Sequence, residues 1–376
     1  MIMGSDLFET TVNTIKLLVI FVMMVQLVPI LVWVERRGSA FIQSRLGPNR
    51  VGPLGLTQLL ADAVKFLGKE EFSPSKSRFF IFYAAPVIAL VPAALAFGSI
   101  PLAPDVHWGD YVFVGQSFHF GVGIVFVLGV SSLAAYALLM AGWGSTNKYS
   151  LMGAVRASAQ AISYELALGL ALVGAILLYG TFDFTSMLSQ QTGPLSFAFL
   201  GRDIAVPFLP NWGIFYQPVG AIIYFAAIFA ETNRLPFDLP EAEGELVAGY
   251  HTEYGGLKML MFYIGEYGHM MVGSALLVVF YFGGYHIPLV SVESVNNFFL
   301  SVGLNSSMAS LVTALSLHVV FLLKVLFFLW VFVWVRWTLP RFRYDQLMDL
   351  GWKTMLPWAL GNTIVTAAII VLARMQ

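Results

Sequence analysis

The chain has 376 residues, of which 58% are apolar and only 11% charged, with a formal net charge of −1. An average soluble chain carries about 25% charged residues, and a mean hydropathy of +0.79 points instead to a polytopic membrane protein. The absence of cysteine excludes disulfides, thiolate metal sites and Cys-ligated iron–sulfur clusters in this chain, and the charge balance offers nothing to nucleic acid.

In chain order, eight apolar stretches approach or exceed bilayer-spanning length: about 13–34, 79–99, 120–141, 158–179, 214–231, 258–282, 310–335 and 354–373. Lipid offers the backbone no partners, so each is predicted to be a helix, and residues 1–376 read as one all-α membrane domain. The first stretch is preceded by Asp6 and Glu9 rather than a basic cluster and runs into Glu35-Arg36-Arg37-Gly38, so it reads as a span and not a signal peptide. After it, residues 56–67 place Leu56, Leu59, Leu60, Ala63, Val64 and Leu67 on one helical face, with Gln58, Asp62 and Lys65 elsewhere. This predicts an amphipathic helix, too short to span, lying at the cytoplasmic interface. It either anchors the chain or walls a cavity with Asp62 and Lys65 turned inward. Gly68-Lys69 continues with Glu70, so it is not a phosphate loop.

Sixteen of the twenty lysines and arginines fall in the first, third, fifth and seventh connections, and the alternate connections hold only Arg202. The positive-inside rule puts the sixteen in the cytoplasm and both termini on the opposite, periplasmic side.

Charges inside spans cost about 2.5–3.5 kcal/mol each on insertion scales, so each needs a reason. Glu165 lies in the fourth span, Glu231 closes the fifth, and Glu266 lies in the sixth with His269 one turn on and Tyr263 one turn back. Carboxyls in a low dielectric can hold and release protons near neutral pH, or can pair with a cation and lock helices together. Lys324, in the seventh span, is expected to meet such a carboxylate. The densest charge feature is the segment from Glu231 to Glu245, which also contains Arg234, Phe237, Asp238, Glu241 and Glu243. Acids this close are expected to titrate as a group. Apolar Leu235, Phe237, Leu239, Leu246 and Val247 argue against a plain solvated loop. His251-Thr-Glu253 has no second ligand in view, and no metal site is expected.

Four segments carry a family resemblance: 35–71 (ERRGSAFIQSRLGPNRVGPLGLTQLLADAVKFLGKEE), 142–165 (GWGSTNKYSLMGAVRASAQAISYE), 230–254 (AETNRLPFDLPEAEGELVAGYHTEY) and 336–353 (RWTLPRFRYDQLMDLGWK). They resemble the bacterial H-type membrane subunits of proton-pumping NADH-quinone oxidoreductase, respiratory complex I, whose mitochondrial counterpart is the first subunit of the membrane arm. The resemblance implies eight spans in a bacterial inner membrane and a quinone tunnel shared with peripheral-arm subunits. It implies that FMN and iron–sulfur clusters sit in partner subunits, with quinone as substrate and no cofactor held by this chain alone. Residue by residue, it puts Glu35, Arg36, Arg45, Asp62, Lys65, Arg234, Phe237 and Asp238 on the quinone path, with Arg336 and Arg341 near the cavity. It puts Glu165, Glu231, Glu241, Glu243, Glu245 and Glu266 in an acidic proton funnel. The equivalent subunit of a membrane-bound hydrogenase, or of another ferredoxin- or deazaflavin-linked complex, shares the spans and acidic loop and remains the alternative. A stand-alone transporter would bring inverted repeats, and none is visible.

Overall fold

Every amide in hydrocarbon needs a partner inside its own segment, and the apolar runs accordingly become helices. The computed structural model describes residues 2–109, 111–199, 202–238 and 247–375. Helix α1 (Ile2–Ile42) is followed by α2 (Gln58–Gly68) and α3 (Phe79–Ser99). Helices α4 (Gly123–Ser131) and α5 (Leu133–Gly144) form one span interrupted at Ser132. Then come α6 (Lys148–Tyr179), α7 (Phe184–Gln190), the one-turn α8 (Gly213–Tyr216) and α9 (Pro218–Glu231). The chain continues through α10 (Gly256–Tyr281), α11 (Val292–Ser301), α12 (Ser306–Thr338) and α13 (Tyr344–Asp349). A π turn over Leu350–Met355 joins α13 to α14 (Leu356–Met375).

Seven of these units are long and apolar enough to cross a membrane: α1, α3, α4–α5, α6, α10, α12 and α13–α14. The expected fifth span is shorter than the sequence suggested. Apolar Ile214, Phe215 and Tyr216 lie in the separate turn α8, Gln217 and Pro218 start a new helix, and α9 has 14 residues. At 1.5 Å per residue that is about 21 Å, against a hydrocarbon core of about 30 Å. At the first span the correction goes the other way. Glu35, Arg36 and Arg37 do not end α1, which runs on to Ile42 before Ser44 turns left-handed at φ +52°.

The chain is not wholly helical. Strands β1 (Val106–Trp108) and β2 (Tyr111–Phe113) form one antiparallel hairpin, with His107 opposite Val112. Strands β3 (Pro194–Phe199) and β4 (Arg202–Pro210) form another, with Leu195 opposite Val206.

α10 is the central helix. Of its most apolar window 83% is buried, against 17% for α1 and for α13–α14. It packs on α1, α3, α9 and α12. Its approach to α3 requires a residue without a side chain, because a Cβ on Gly265 would lie 2.6 Å from the Ala89 carbonyl oxygen. α6 is a second pillar, in contact with α5, α9 and α14. Asn147 caps its start by accepting the Tyr149 N–H at 3.0 Å, and Gly180 at φ +67° closes its end.

The basic connections gather at one end of the bundle. There the Arg78 N–H donates to the Gly144 carbonyl, Asn147 reaches Glu253 at 2.6 Å, and the Phe342 N–H meets the Pro236 carbonyl at 3.2 Å. The hairpins and α11 lie at the other end, where the His107 N–H donates to Ser310 Oγ on α12 at 2.9 Å. Lys324 also serves that end, and not by meeting a carboxylate. Its ammonium donates to the carbonyls of Phe282, Gly284 and His286 at 2.8, 2.9 and 2.7 Å, and lies 4.5 Å from the Trp212 ring. Gly283 and Gly284, at φ +71° and +52°, let this turn present three oxygens to one ammonium.

Candidate functional site

Glu35 collects donors from three elements. Tyr267 of α10 donates its hydroxyl to Oε2 at 2.5 Å, Arg336 of α12 bonds Oε1, and Arg234, just past α9, stands 3.7 Å from Oε2. The Arg234 guanidinium also stacks 4.2 Å over the Tyr267 ring. Asn233, left-handed at φ +50°, turns the chain out of α9 and delivers Arg234 to this place. Glu35, Arg234 and Tyr267 are all buried. A buried carboxylate in this setting is tolerable only because it is paired and hydrogen-bonded. Beside it lies a small, mainly apolar slot, walled by Leu31, Leu326, Leu329, Trp330 and Val333, with Glu35 and Tyr267 as its polar lining.

Arg36, the next residue of α1, pairs with Asp62 of α2 at 2.6 Å. Gln58 donates to the same carboxylate at 3.2 Å and Lys65 lies 3.6 Å away. Partial burial pushes Asp62 up, but the hydrogen bonds from Arg36 and Gln58 and the charges of Arg36 and Lys65 outweigh it, holding the carboxyl below its usual range. Asp238 accepts from Arg341 at 2.9 Å. Phe237 is buried between the rings of Tyr164 and Phe342, with centroids 5.3 and 5.6 Å away. Arg45 stands apart: it bonds Gln43 at 2.7 Å and joins none of these groups.

A larger cavity, with internal space of about 40 Å³, lies between α3, α4–α5, α6, α9 and α10. Glu165, Glu231 and Glu266 all line it, together with His269. Ser132, at the break between α4 and α5, donates its hydroxyl to Glu165. The Tyr250 hydroxyl donates to Glu266 Oε1 at 2.7 Å. Glu241, Glu243 and Glu245 lie outside the described residues.

Two pairs of consecutive residues join the cavity to the Glu35 cluster. Asn233 lines the cavity while Arg234 faces Glu35, and Glu266 lines the cavity while Tyr267 bonds Glu35. A buried amide strengthens the junction. Gln160 of α6 donates from Nε2 to the carbonyls of Ala230 and Phe237 at 2.8 and 2.7 Å, closing the turn between them. Gln160, Tyr250, Tyr267 and Ser132 were not singled out by the sequence. Only Gln160 carried a signal, as an amide inside an apolar span.

Fold and site together define a multi-pass helical membrane protein with ionisable groups enclosed between its helices. Comparison with known proteins places it more narrowly. The sequence pattern of the family described as NADH dehydrogenase matches residues 15–367. The H-type subunit of NADH-quinone oxidoreductase from Bdellovibrio bacteriovorus is 65% identical, covering 99% of this chain and 100% of that one. Its namesake from Salinibacter ruber is 44% identical over 91% of each chain, and that of Flavobacterium johnsoniae is 38% identical over 95% of each. The chain belongs to this H-type family of NADH-quinone oxidoreductase, respiratory complex I, and is a membrane subunit of that enzyme complex.

Proposed function

We propose that this chain forms the membrane part of the quinone tunnel and couples quinone reduction to proton translocation through its carboxylate cavity. The observation that carries this reading is the pair of consecutive-residue junctions, 233/234 and 266/267, between the Glu35 cluster and the cavity. Quinone is a greasy chain with a polar head. The apolar slot beside Glu35 suits the chain, and the arginines and phenol suit the head. Reduction takes up two electrons and two protons. In a desolvated setting that charge change acts strongly on nearby ionisable groups. Arg36, Asp62, Lys65, Phe237, Asp238 and Arg341 line the approach, and Glu165, Glu231, Glu266 and the acids 241, 243 and 245 pass the proton shift inward.

In this reading α9 crosses as a short eighth span, completed by the turn α8, and α2 lies on the cytoplasmic membrane surface. The side chains of Leu60, Val64 and Leu67 on α2 are exposed in the isolated chain and would meet lipid. Both termini face the periplasm of a bacterial inner membrane. Peripheral-arm subunits carrying FMN and iron–sulfur clusters, and further membrane-arm subunits, are the partners.

The test is Glu165→Gln in the intact complex. The variant is expected to assemble and to reduce an artificial acceptor at the flavin end normally, while quinone-driven proton pumping falls at least about tenfold. Normal pumping by an assembled Glu165→Gln complex would remove the cavity from the coupling path.

A further inference from the structure

His269 lies on α10, one turn from Glu266, and is 7% exposed. It lines the same cavity as Glu165, Glu231 and Glu266. Its ring lies against the Ala89 carbonyl of α3, and Nε2 has no hydrogen-bond partner among the described residues. In a neutral ring one nitrogen donates and the other accepts, so a proton on Nδ1 leaves Nε2 with a free lone pair. A buried acceptor beside three carboxyl groups, in a cavity with room for water, is expected to hold water, because leaving it dry costs a hydrogen bond. The chain thus places an imidazole among three carboxyl groups, with Nε2 unpartnered among the described residues.

We infer that His269 is a proton-carrying member of this cavity, taking a proton at Nε2 and passing it between Glu266 and the Glu165–Glu231 side through bound water. The inference rests on the coupling role proposed for the cavity. The step balances as a proton transfer: the Glu266 carboxyl gives up its proton through water, leaving a carboxylate and an imidazolium. The imidazolium then returns that proton to a carboxylate of Glu165 or Glu231, restoring the neutral ring. The titratable groups facing the cavity are Glu165 from α6, Glu231 from α9, Tyr250 from the turn over Gly249–His251, and Glu266 from the same helix. Among the described residues, α3, α4 and α5 contribute none.

The experiment uses the intact complex in proteoliposomes, with quinone-driven pumping followed against pH for wild type, His269→Gln and His269→Asn. Both variants keep an amide that can bond Ala89 or water but cannot cycle a proton at neutral pH. Assembly is read from the flavin-end reaction with an artificial acceptor, and Glu165→Gln is run in parallel. The expected result is pumping about tenfold slower near neutral pH in an assembled variant, with the acid limb of the wild-type pH profile lost. A wild-type rate and profile in either assembled variant overturns the inference. So does a slower rate with the profile unchanged in shape, since that is the mark of a purely structural histidine. If Glu165→Gln also pumps normally, the cavity reading has failed. If Glu165→Gln is impaired and His269→Gln is not, only the role of His269 has failed.

Discussion

Glu35 draws its partners from distant parts of the chain, with Tyr267 and Arg336 lying 232 and 301 positions away. That distance is why the family resemblance put Glu35 on the quinone path and Arg336 near the cavity without pairing them, and why Tyr267 passed unnoticed. Tyr267→Phe isolates one of these bonds, since the ring stays and Arg234 keeps its stacking surface. A hydrogen bond to a charged group contributes about 1.5–3 kcal/mol. The variant is expected to raise the quinone KM about tenfold while leaving the flavin-end reaction untouched, measured by quinone titration of the purified complex. Lys324 shows the same limit of sequence reading from another side. Its partners are three backbone carbonyls, and a carbonyl has no residue type by which it could be foreseen.

At the scale of elements, the turn from Ala230 to Phe237 is held by Gln160 on α6. Gln160→Leu removes the side-chain donor to both carbonyls; Ala230 keeps the backbone N–H groups of Thr232 and Asn233, so the loss falls on the buried Phe237 carbonyl, at about 1–3 kcal/mol for an unsatisfied group. Because that turn carries both Asn233 at the cavity and Arg234 at Glu35, the variant is expected to slow quinone turnover and pumping together, by about tenfold. Glu165→Gln, in contrast, leaves this turn in place. Comparing initial rates of the two assembled variants over a range of quinone concentrations checks this: a raised KM is expected for Gln160→Leu and not for Glu165→Gln. Most helices were legible as apolar runs of bilayer length, and α2 was placed within two residues from its spacing alone. The length of α9 was not legible, because the apolar residues of α8 continue its pattern across Gln217 and Pro218 and hide the break.

At the scale of the molecule, the gathering of the basic connections at one end was legible by counting lysine and arginine, while the hairpins and α11 at the other end were not foreseen. The natural chain has no cysteine, so single cysteines can report its sidedness. Ser294→Cys on α11 is expected to react with a membrane-impermeant maleimide in intact spheroplasts, and Ser75→Cys only after permeabilisation. The reverse labelling pattern would invert the proposed orientation. The shared cavity was not legible, because it is assembled from five units of the bundle and depends on their packing. One consequence follows from Glu266 and Tyr267 being neighbours on α10. Adjacent helical residues differ in height by about 1.5 Å, so the vertical offset between cavity and Glu35 cluster is set by covalent geometry. A thicker or thinner bilayer can tilt the outer helices without stretching that interval, which leaves the spacing of the cavity and the Glu35 cluster indifferent to lipid composition.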